Sequence, residues 1–201
     1  LVIALVDYGA GNLTSVQKGF TAAGASLFVP AAPADLRRAR GIVVRGVGHS
    51  GATRSLAEGW RDEIASRIKA GVPIIGICLG MQWVFEGSEE DPAIEGLGVV
   101  SGTVGRLTAA PPLKVPHVGW NTLATRHTCS ILADINAGVY VYFSHSFAAP
   151  VTPECAATAT HGAAFAAVVQ QDHVAGVQFH PEKSGEAGIR MLRNFVALTR
   201  S

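Results

Sequence analysis

Continuous apolar runs are the clearest pattern in the first half of the chain. Residues 1–6, 41–45 and 72–77 are mainly aliphatic, and residues 26–29 form a shorter run of the same kind. Runs without alternating polar positions are typical of parallel strands that are buried on both faces. A predicted helix over residues 15–23 lies between the run at residues 1–6 and the run at residues 26–29. This alternation of strand and helix predicts an α/β fold with a doubly wound sheet.

Helical spacing marks two further segments. Apolar residues recur at every fourth position through one of them: Leu56, Trp60, Ile64 and Ile68. Trp60 is in register with three aliphatic residues, which favours packing against the sheet over a role in stacking on a cofactor. Residues 184–199 carry the same pattern and are predicted to close the chain as a helix.

The hydrophobic pattern changes in the second half of the chain, where short strand-like runs replace helical spacing. These runs cover residues 97–104, 139–143, 155–160, 165–170 and 174–179. We expect them to be antiparallel strands added to the sheet. The predicted architecture is a flavodoxin-like doubly wound sheet, mostly parallel, with antiparallel strands in its C-terminal half. At 201 residues, the chain is expected to form a single domain over residues 1–201.

Composition narrows the function classes. The formal net charge is +1 and the basic residues are scattered, so we expect no nucleic-acid partner. The three cysteines are widely and irregularly spaced, which suits neither a disulfide framework nor a metal site and favours a reducing cytoplasm. No apolar run approaches the length of a membrane span, so no membrane association is expected.

The loop after the first strand is glycine-rich, as in dinucleotide-binding proteins, but it lacks their full pattern. Residues 9–14 read Gly-Ala-Gly-Asn-Leu-Thr, which lacks the third glycine of a dinucleotide fingerprint. The ribose-binding acid expected near residues 26–30 is also missing. We therefore predict no nicotinamide or flavin cofactor.

A candidate nucleophile follows the third long apolar run. Residues 76–80 read Gly-Ile-Cys-Leu-Gly, the pattern of a nucleophile elbow with Cys78 at its apex. Glycines on both sides permit the tight turn from strand to helix, and the first turn of that helix favours a thiolate at Cys78. The alternative is an inert cysteine in the core.

A base and an orienting group are predicted about a hundred residues later. His180 and Glu182 flank Pro181 at the end of an apolar strand. In an extended stretch the two side chains would point the same way, so Glu182 could orient His180 toward Cys78. Taken alone, His-Pro-Glu could equally be a solvated turn.

These motifs carry a family resemblance. Residues 76–82 (Gly-Ile-Cys-Leu-Gly-Met-Gln) together with residues 179–184 (Phe-His-Pro-Glu-Lys-Ser) resemble a class I, or triad, glutamine amidotransferase domain. Three more stretches resemble the glutaminase subunits of imidazole glycerol phosphate synthase: residues 7–13, 116–121 (Pro-His-Val-Gly-Trp-Asn) and 142–147. The likeness covers essentially the whole chain.

The resemblance implies a glutaminase that supplies ammonia to a separate (β/α)8 cyclase subunit, in a heterodimer. The cyclase would combine ammonia with phosphoribulosyl-formimino-AICAR-phosphate to give imidazole glycerol phosphate and AICAR in histidine biosynthesis. By position, Cys78 is the nucleophile, His180 the general base and acid, and Glu182 the group that orients His180.

The resemblance also assigns the remaining site residues. Those expected to hold glutamine are Gln82, His145 and Ser146. Backbone N–H groups expected to stabilise the oxyanion come from Gly46, Val47, Gly48 and Leu79. The expected contacts with the cyclase are Asn12, Trp120, Tyr142 and Lys183. For Trp120 the alternative is core packing, although residues 116–121 lack clean alternation and are typical of an exposed loop.

One position departs from the family pattern. Arg45 stands where the family usually has proline before Gly-Val-Gly, which frees the peptide between Gly46 and Val47 to rotate unless a carboxylate pins Arg45. Two rival functions stay open at this point. One is another triad glutaminase, such as the one that feeds pyridoxal phosphate synthesis, and the other is a catalytically silent scaffold that activates the cyclase.

Overall fold

The first half of the chain alternates strands and helices. The computed structural model describes residues 2–7, 13–46 and 59–200. Its first elements are β1 (Val2–Asp7), α1 (Leu13–Ala22), β2 (Ser26–Phe28), β3 (Gly41–Gly46), α2 (Trp60–Lys69), β4 (Ile74–Cys78) and α3 (Leu79–Val84). Each strand overlaps one of the apolar runs in the sequence, and each differs from it by no more than a few residues at either end.

The second half is richer in strands. It contains β5 (Gly87–Ser88), β6 (Thr103–Arg106), β7 (His117–Thr122), β8 (Ala124–Thr125), β9 (Tyr140–His145), β10 (Phe147–Ala148), β11 (Cys155–His161), β12 (Ala163–Gln171), β13 (Val174–Val177) and α4 (Gly185–Leu198). Short 3-10 turns form at Pro33–Arg38, Ser130–Leu132 and Pro181–Lys183.

A large mixed sheet organises these elements. Among the described residues it has eight strands in the order β2-β1-β3-β4-β13-β12-β11-β8. The first five strands are parallel, whereas β12, β11 and β8 are added in antiparallel pairs. The parallel part follows the strand order of a flavodoxin-like sheet. The predicted α/β fold, mostly parallel with antiparallel additions, is confirmed.

Apolar side chains cover both faces of the sheet. Along β1, Ile3 and Leu5 belong to a core shared with α1 and α4, whereas Ala4 and Val6 belong to a core shared with α2 and α3. Successive residues of a strand point to opposite faces, so a continuous apolar run supplies both cores. Layers on both faces leave the carboxyl ends of the parallel strands as the natural place for a site.

Several predictions for the second half were wrong in detail. The strand β13 is parallel to β4 and antiparallel only to β12. Residues 97–102 are not a strand, and β6 pairs with β5 and β10 in a small separate sheet. Likewise β9 pairs with β7 in a two-stranded sheet. Residues 116–121, predicted as a loop, therefore contain most of a strand whose only partner among the described strands is β9.

The helix predicted from the four-residue spacing begins at Trp60, and Leu56 lies outside the described residues. Trp60 is half-buried and packs against the core under α2, as predicted. Within the described ranges, none of the helices has the length and apolar composition needed to cross a membrane.

Candidate active site

Cys78 occupies a strained turn between β4 and α3. Its backbone has φ 56° and ψ −110°, a region that costs a non-glycine residue about 1–3 kcal/mol. A Cβ atom on Gly80 would lie 2.0 Å from the carbonyl oxygen of Val44, and one on Gly76 would lie 2.4 Å from that of Gly80. Because only glycine allows this approach, the two glycines hold the turn that presents Cys78 at the end of a central strand.

His180 and Glu182 lie beside Cys78. The His180 imidazole and the Cys78 thiol interact electrostatically, and the His180 Nδ1 atom lies 3.1 Å from the Glu182 Oε1 atom. Nδ1–H therefore donates to the carboxylate, which leaves Nε2 for the thiol. The two side chains meet as predicted, but the predicted reason was wrong. Residues Pro181–Lys183 form a 3-10 turn rather than an extended stretch, and Glu182 reaches back to His180 across that turn.

The charges of this pair support each other. Burial by itself lowers the pKa of His180, but hydrogen bonds and charge from Cys78 and Glu182 outweigh it and raise the pKa to about 9. Burial favours the neutral form of Glu182, yet its hydrogen bond with His180 and the charge of Arg45 hold its pKa below the usual value. At neutral pH the site therefore favours an imidazolium at His180 paired with an ionised Glu182.

Two buried amides complete the surroundings of the thiol. Gln82 donates both N–H bonds of its side chain, to the Phe147 carbonyl oxygen at 2.8 Å and to Gln178 Oε1 at 3.0 Å. The amide of Gln178 is thereby oriented with its Nε2 atom 3.7 Å from the Cys78 sulfur. Sequence reasoning missed Gln178, although a glutamine inside an otherwise apolar run is a signal that could have been read.

A cavity opens in front of Cys78. It measures about 240 Å³ and its polar lining includes Gln82, Glu90, His145 and Ser146. The three residues expected to hold glutamine thus line the same cavity as the candidate nucleophile. Glu90 was missed because it lies between two other acidic residues, Glu89 and Asp91, and such a run is typical of a solvated loop.

A hydrogen-bonded chain of neutral side chains stands behind His145. Burial lowers the pKa values of His145 and His117 to about 4. His145 Nδ1 lies 2.8 Å from the Phe147 carbonyl oxygen, so it carries the proton and Nε2 accepts from His117 Nδ1 at 3.0 Å. The other nitrogen of His117 then accepts from Asn121 at 3.3 Å. This polarity fixes the ring of His145 against the cavity.

The predicted oxyanion donors are only partly described. Leu79 is the first residue of α3, directly after Cys78, and its position leaves its N–H outside the helical hydrogen bonds. Gly46 ends β3 and pairs in register with Cys78. Val47 and Gly48 lie outside the described residues, and so does Asn12. Arg45 has the carboxylate partner that the sequence left open, since its Nη2 atom lies 3.9 Å from Glu182 Oε1.

An exposed aromatic face lies on the β7–β9 sheet. We define it by Val118, Trp120, Tyr140 and Tyr142, which lie on one side of the two paired strands. Trp120 is 56% exposed, and its ring meets that of Tyr142 edge-on at 6.1 Å. The Lys183 ammonium lies 5.7 Å from the centre of the Tyr142 ring. Trp120 is therefore not a core residue.

The aromatic face and His180 are joined by backbone contacts. The His180 N–H donates to the Tyr142 carbonyl oxygen at 2.8 Å. The Ser184 hydroxyl accepts from the Tyr142 N–H at 3.0 Å and donates to the His180 carbonyl oxygen at 2.7 Å. Three hydrogen bonds thus connect the strand that carries Tyr142 to the residue beside Cys78.

Comparison with known proteins gives a consistent result. The family model described as "Glutamine amidotransferase class-I" matches residues 4–198. The chain is 46% identical to "Imidazole glycerol phosphate synthase subunit HisH" of Gloeobacter violaceus, over 96% of this chain and 88% of that protein. It is 39% identical to the subunit of the same name from Methanothermobacter thermautotrophicus, over the whole of both chains.

Solved structures support the fold. A structure described as "Crystal structure of glutamine amidotransferase" aligns with a TM-score of 0.75 at 19% identity, covering 98% of this chain and 99% of that one. The "Structure of PurLQS from Thermotoga maritima" aligns with a TM-score of 0.75 at 16% identity, covering 98% and 97%. At these identities the likeness speaks for the fold alone.

Proposed function

The chain belongs to the class-I glutamine amidotransferase family and, within it, to the family of imidazole glycerol phosphate synthase HisH subunits, and we propose that it hydrolyses glutamine to glutamate and ammonia. One observation carries the proposal. Cys78, in a strained turn, lines a cavity of about 240 Å³ and interacts with His180, which in turn donates to Glu182.

The first step is attack by the thiolate. The Cys78 sulfur adds to the carboxamide carbon of glutamine, forming a C–S bond and moving an electron pair onto the oxygen. The backbone N–H of Leu79, together with N–H groups from Gly46, Val47 and Gly48, would stabilise that oxyanion. The Gln178 amide, 3.7 Å from the sulfur, supports the thiolate before attack.

The second step releases ammonia. As the C–N bond breaks, the His180 imidazolium transfers its proton to the leaving nitrogen, and a thioester remains on Cys78. The neutral imidazole then takes a proton from water, which attacks the thioester and frees glutamate. Glu182 stays ionised throughout and holds the imidazole in one orientation.

The cavity would hold the rest of the substrate. Both N–H bonds of the Gln82 side-chain amide are already engaged, so its side-chain oxygen is left to contact glutamine. The Ser146 side chain offers a second polar contact in the cavity. The Glu90 carboxylate suits the ammonium group of the substrate. His145 is kept neutral by burial, so it adds no charge to the cavity.

The ammonia would be used by a separate (β/α)8 cyclase subunit in a heterodimer. We assign the docking surface to the aromatic face, with Lys183 beside Tyr142, because an exposed tryptophan beside a tyrosine is a common interface anchor. Asn12 stays a predicted contact on the strength of the family resemblance alone. The cyclase would use the ammonia to form imidazole glycerol phosphate and AICAR in histidine biosynthesis. The free thiols at Cys78, Cys129 and Cys155 suit a cytoplasmic setting, and the family match over residues 4–198 supports a single domain.

The test is glutamate release from glutamine, measured with and without the cyclase subunit and its substrate. We expect release that depends on Cys78 and rises when the cyclase binds. No release under any condition, with the complex still forming imidazole glycerol phosphate from added ammonium salt, would identify a silent scaffold. Release that never responds to the cyclase would favour another kind of triad glutaminase.

A further inference from the structure

Arg45 is a cation buried next to the triad. It lies on β3 between β1 and β4, and only 2% of its surface is exposed. Its Nη2 atom lies 3.9 Å from Glu182 Oε1, the same oxygen that accepts from His180 Nδ1 at 3.1 Å. We propose that Arg45 is a positioning residue that keeps Glu182 ionised and oriented toward His180. The proposal deepens the glutaminase function and rests on it.

The burial of both partners carries this assignment. The Glu182 side chain has no exposed surface, and burial of either charge without the other is strongly unfavourable. A guanidinium group keeps its charge throughout the pH range in which proteins fold. The buried positive charge therefore favours an anion at Glu182. Arg45 thus supplies from β3 a counter-charge that is independent of the protonation of His180.

Three other titratable groups lie around Arg45 and Glu182. His180 faces Glu182 from its own turn, and Cys78 faces His180 from the elbow. Asp7 on β1 pairs in register with Arg45, so it adds a second carboxylate on the same face of the sheet. When Arg45 is removed, His180 is left to oppose burial and the carboxylate of Asp7, so the pKa of Glu182 rises.

Protonation of Glu182 would weaken catalysis in a specific way. A neutral carboxyl accepts more weakly from His180 Nδ1–H and stabilises the imidazolium less, so the acid limb of the activity profile moves to higher pH. Burial raises the pKa of Glu182, and two cationic groups lower it. His180 has the larger lowering effect, and the charge of Arg45 adds to it. Cavity contacts with glutamine do not involve Arg45, so binding of the substrate is expected to persist.

The test compares Arg45→Met, which removes the charge at similar volume, with Arg45→Lys, which keeps it. The readouts are the pH profile of Cys78 alkylation by a glutamine-analogue electrophile, and kcat and KM for glutamine in the complex. For Arg45→Met we expect the acid limb to move up by at least about one pH unit. The kcat falls while KM stays within about twofold of wild type. Arg45→Lys recovers most of the profile.

A double variant separates the proposed role of Arg45 from a loss of folding caused by an unpaired buried charge. In Arg45→Met/Glu182→Gln both buried charges are gone, and we expect it to match Glu182→Gln alone, because the two residues act as a unit. An acid limb unchanged in Arg45→Met, or effects of Arg45→Met and Glu182→Gln that simply add, would overturn the proposal. If Arg45→Met does not fold, Arg45→Gln replaces it with the same expectations. A wild-type protein that is not alkylated at Cys78 would instead sink the glutaminase function itself.

Discussion

The triad and the aromatic face differ in how firmly each side chain is fixed. Cys78 is 5% exposed and has the Ser144 carbonyl oxygen and Gln178 as hydrogen-bond partners, whereas Trp120 is 56% exposed and its ring meets that of Tyr142. A reacting group needs one orientation in a site shielded from water, and a docking surface needs exposed area that a partner can cover. Substitutions in the two regions should therefore damage different activities.

The largest effect is expected for Cys78→Ala. Removal of the nucleophile should lower glutamine-dependent synthesis by the complex by at least about a thousandfold. Synthesis from added ammonium salt should persist, because the cyclase is a separate subunit. The measurement is imidazole glycerol phosphate formation with each nitrogen source, and loss of both activities in an intact complex would break the proposed separation.

The partners of the thiol come next. His180→Ala should lose nearly as much glutaminase activity as Cys78→Ala, since members of one catalytic unit are not additive. Glu182→Gln keeps the shape and a hydrogen-bonding group, so its loss should be milder. Steady-state kinetics on the two variants decide the order. A Glu182→Gln enzyme as inactive as His180→Ala would assign Glu182 a larger part than orientation.

Trp120→Ala should act on association instead. If Trp120 is a central anchor, its truncation weakens binding to the cyclase by about 2 kcal/mol. The melting temperature of the free subunit should change little, because more than half of the Trp120 surface is exposed. Calorimetric titration measures the affinity, with Val151→Ala as the control, since Val151 is also exposed but lies off the aromatic face. Unchanged affinity with a large drop in melting temperature would contradict the assignment.

Ser184→Ala probes the connection between the two regions and should have the smallest effect on basal activity. It removes hydrogen bonds to Tyr142 and His180, and the unpaired backbone groups should cost about 1–3 kcal/mol of unfolding free energy. Stimulation of glutamate release by the cyclase should fall more than basal release does. Equal losses in both rates would mean that Ser184 supports the fold without connecting partner and triad.

Sequence alone predicts the features that are encoded locally. Aliphatic runs specify the parallel strands, and the spacing of Gly76 and Gly80 specifies the elbow. Features that depend on distant contacts were harder to predict. The 3-10 turn at Pro181–Lys183 and the pairing of β7 with β9 are set by neighbours far along the chain. Arg45 carries a local signal, a charge at the end of a buried strand, but its partner Glu182 could be found only in three dimensions.

The most direct test of the account is mass spectrometry of the protein after reaction with a glutamine-analogue electrophile. We predict one adduct, on Cys78, formed in step with the loss of glutaminase activity and slowed by glutamine. Cys129 and Cys155 serve as internal controls, because burial raises the pKa of each of these thiols and keeps it unreactive. An unmodified Cys78 in a protein that has lost its activity, or an adduct on Cys129 or Cys155 instead, would contradict the assignment of Cys78 as the nucleophile.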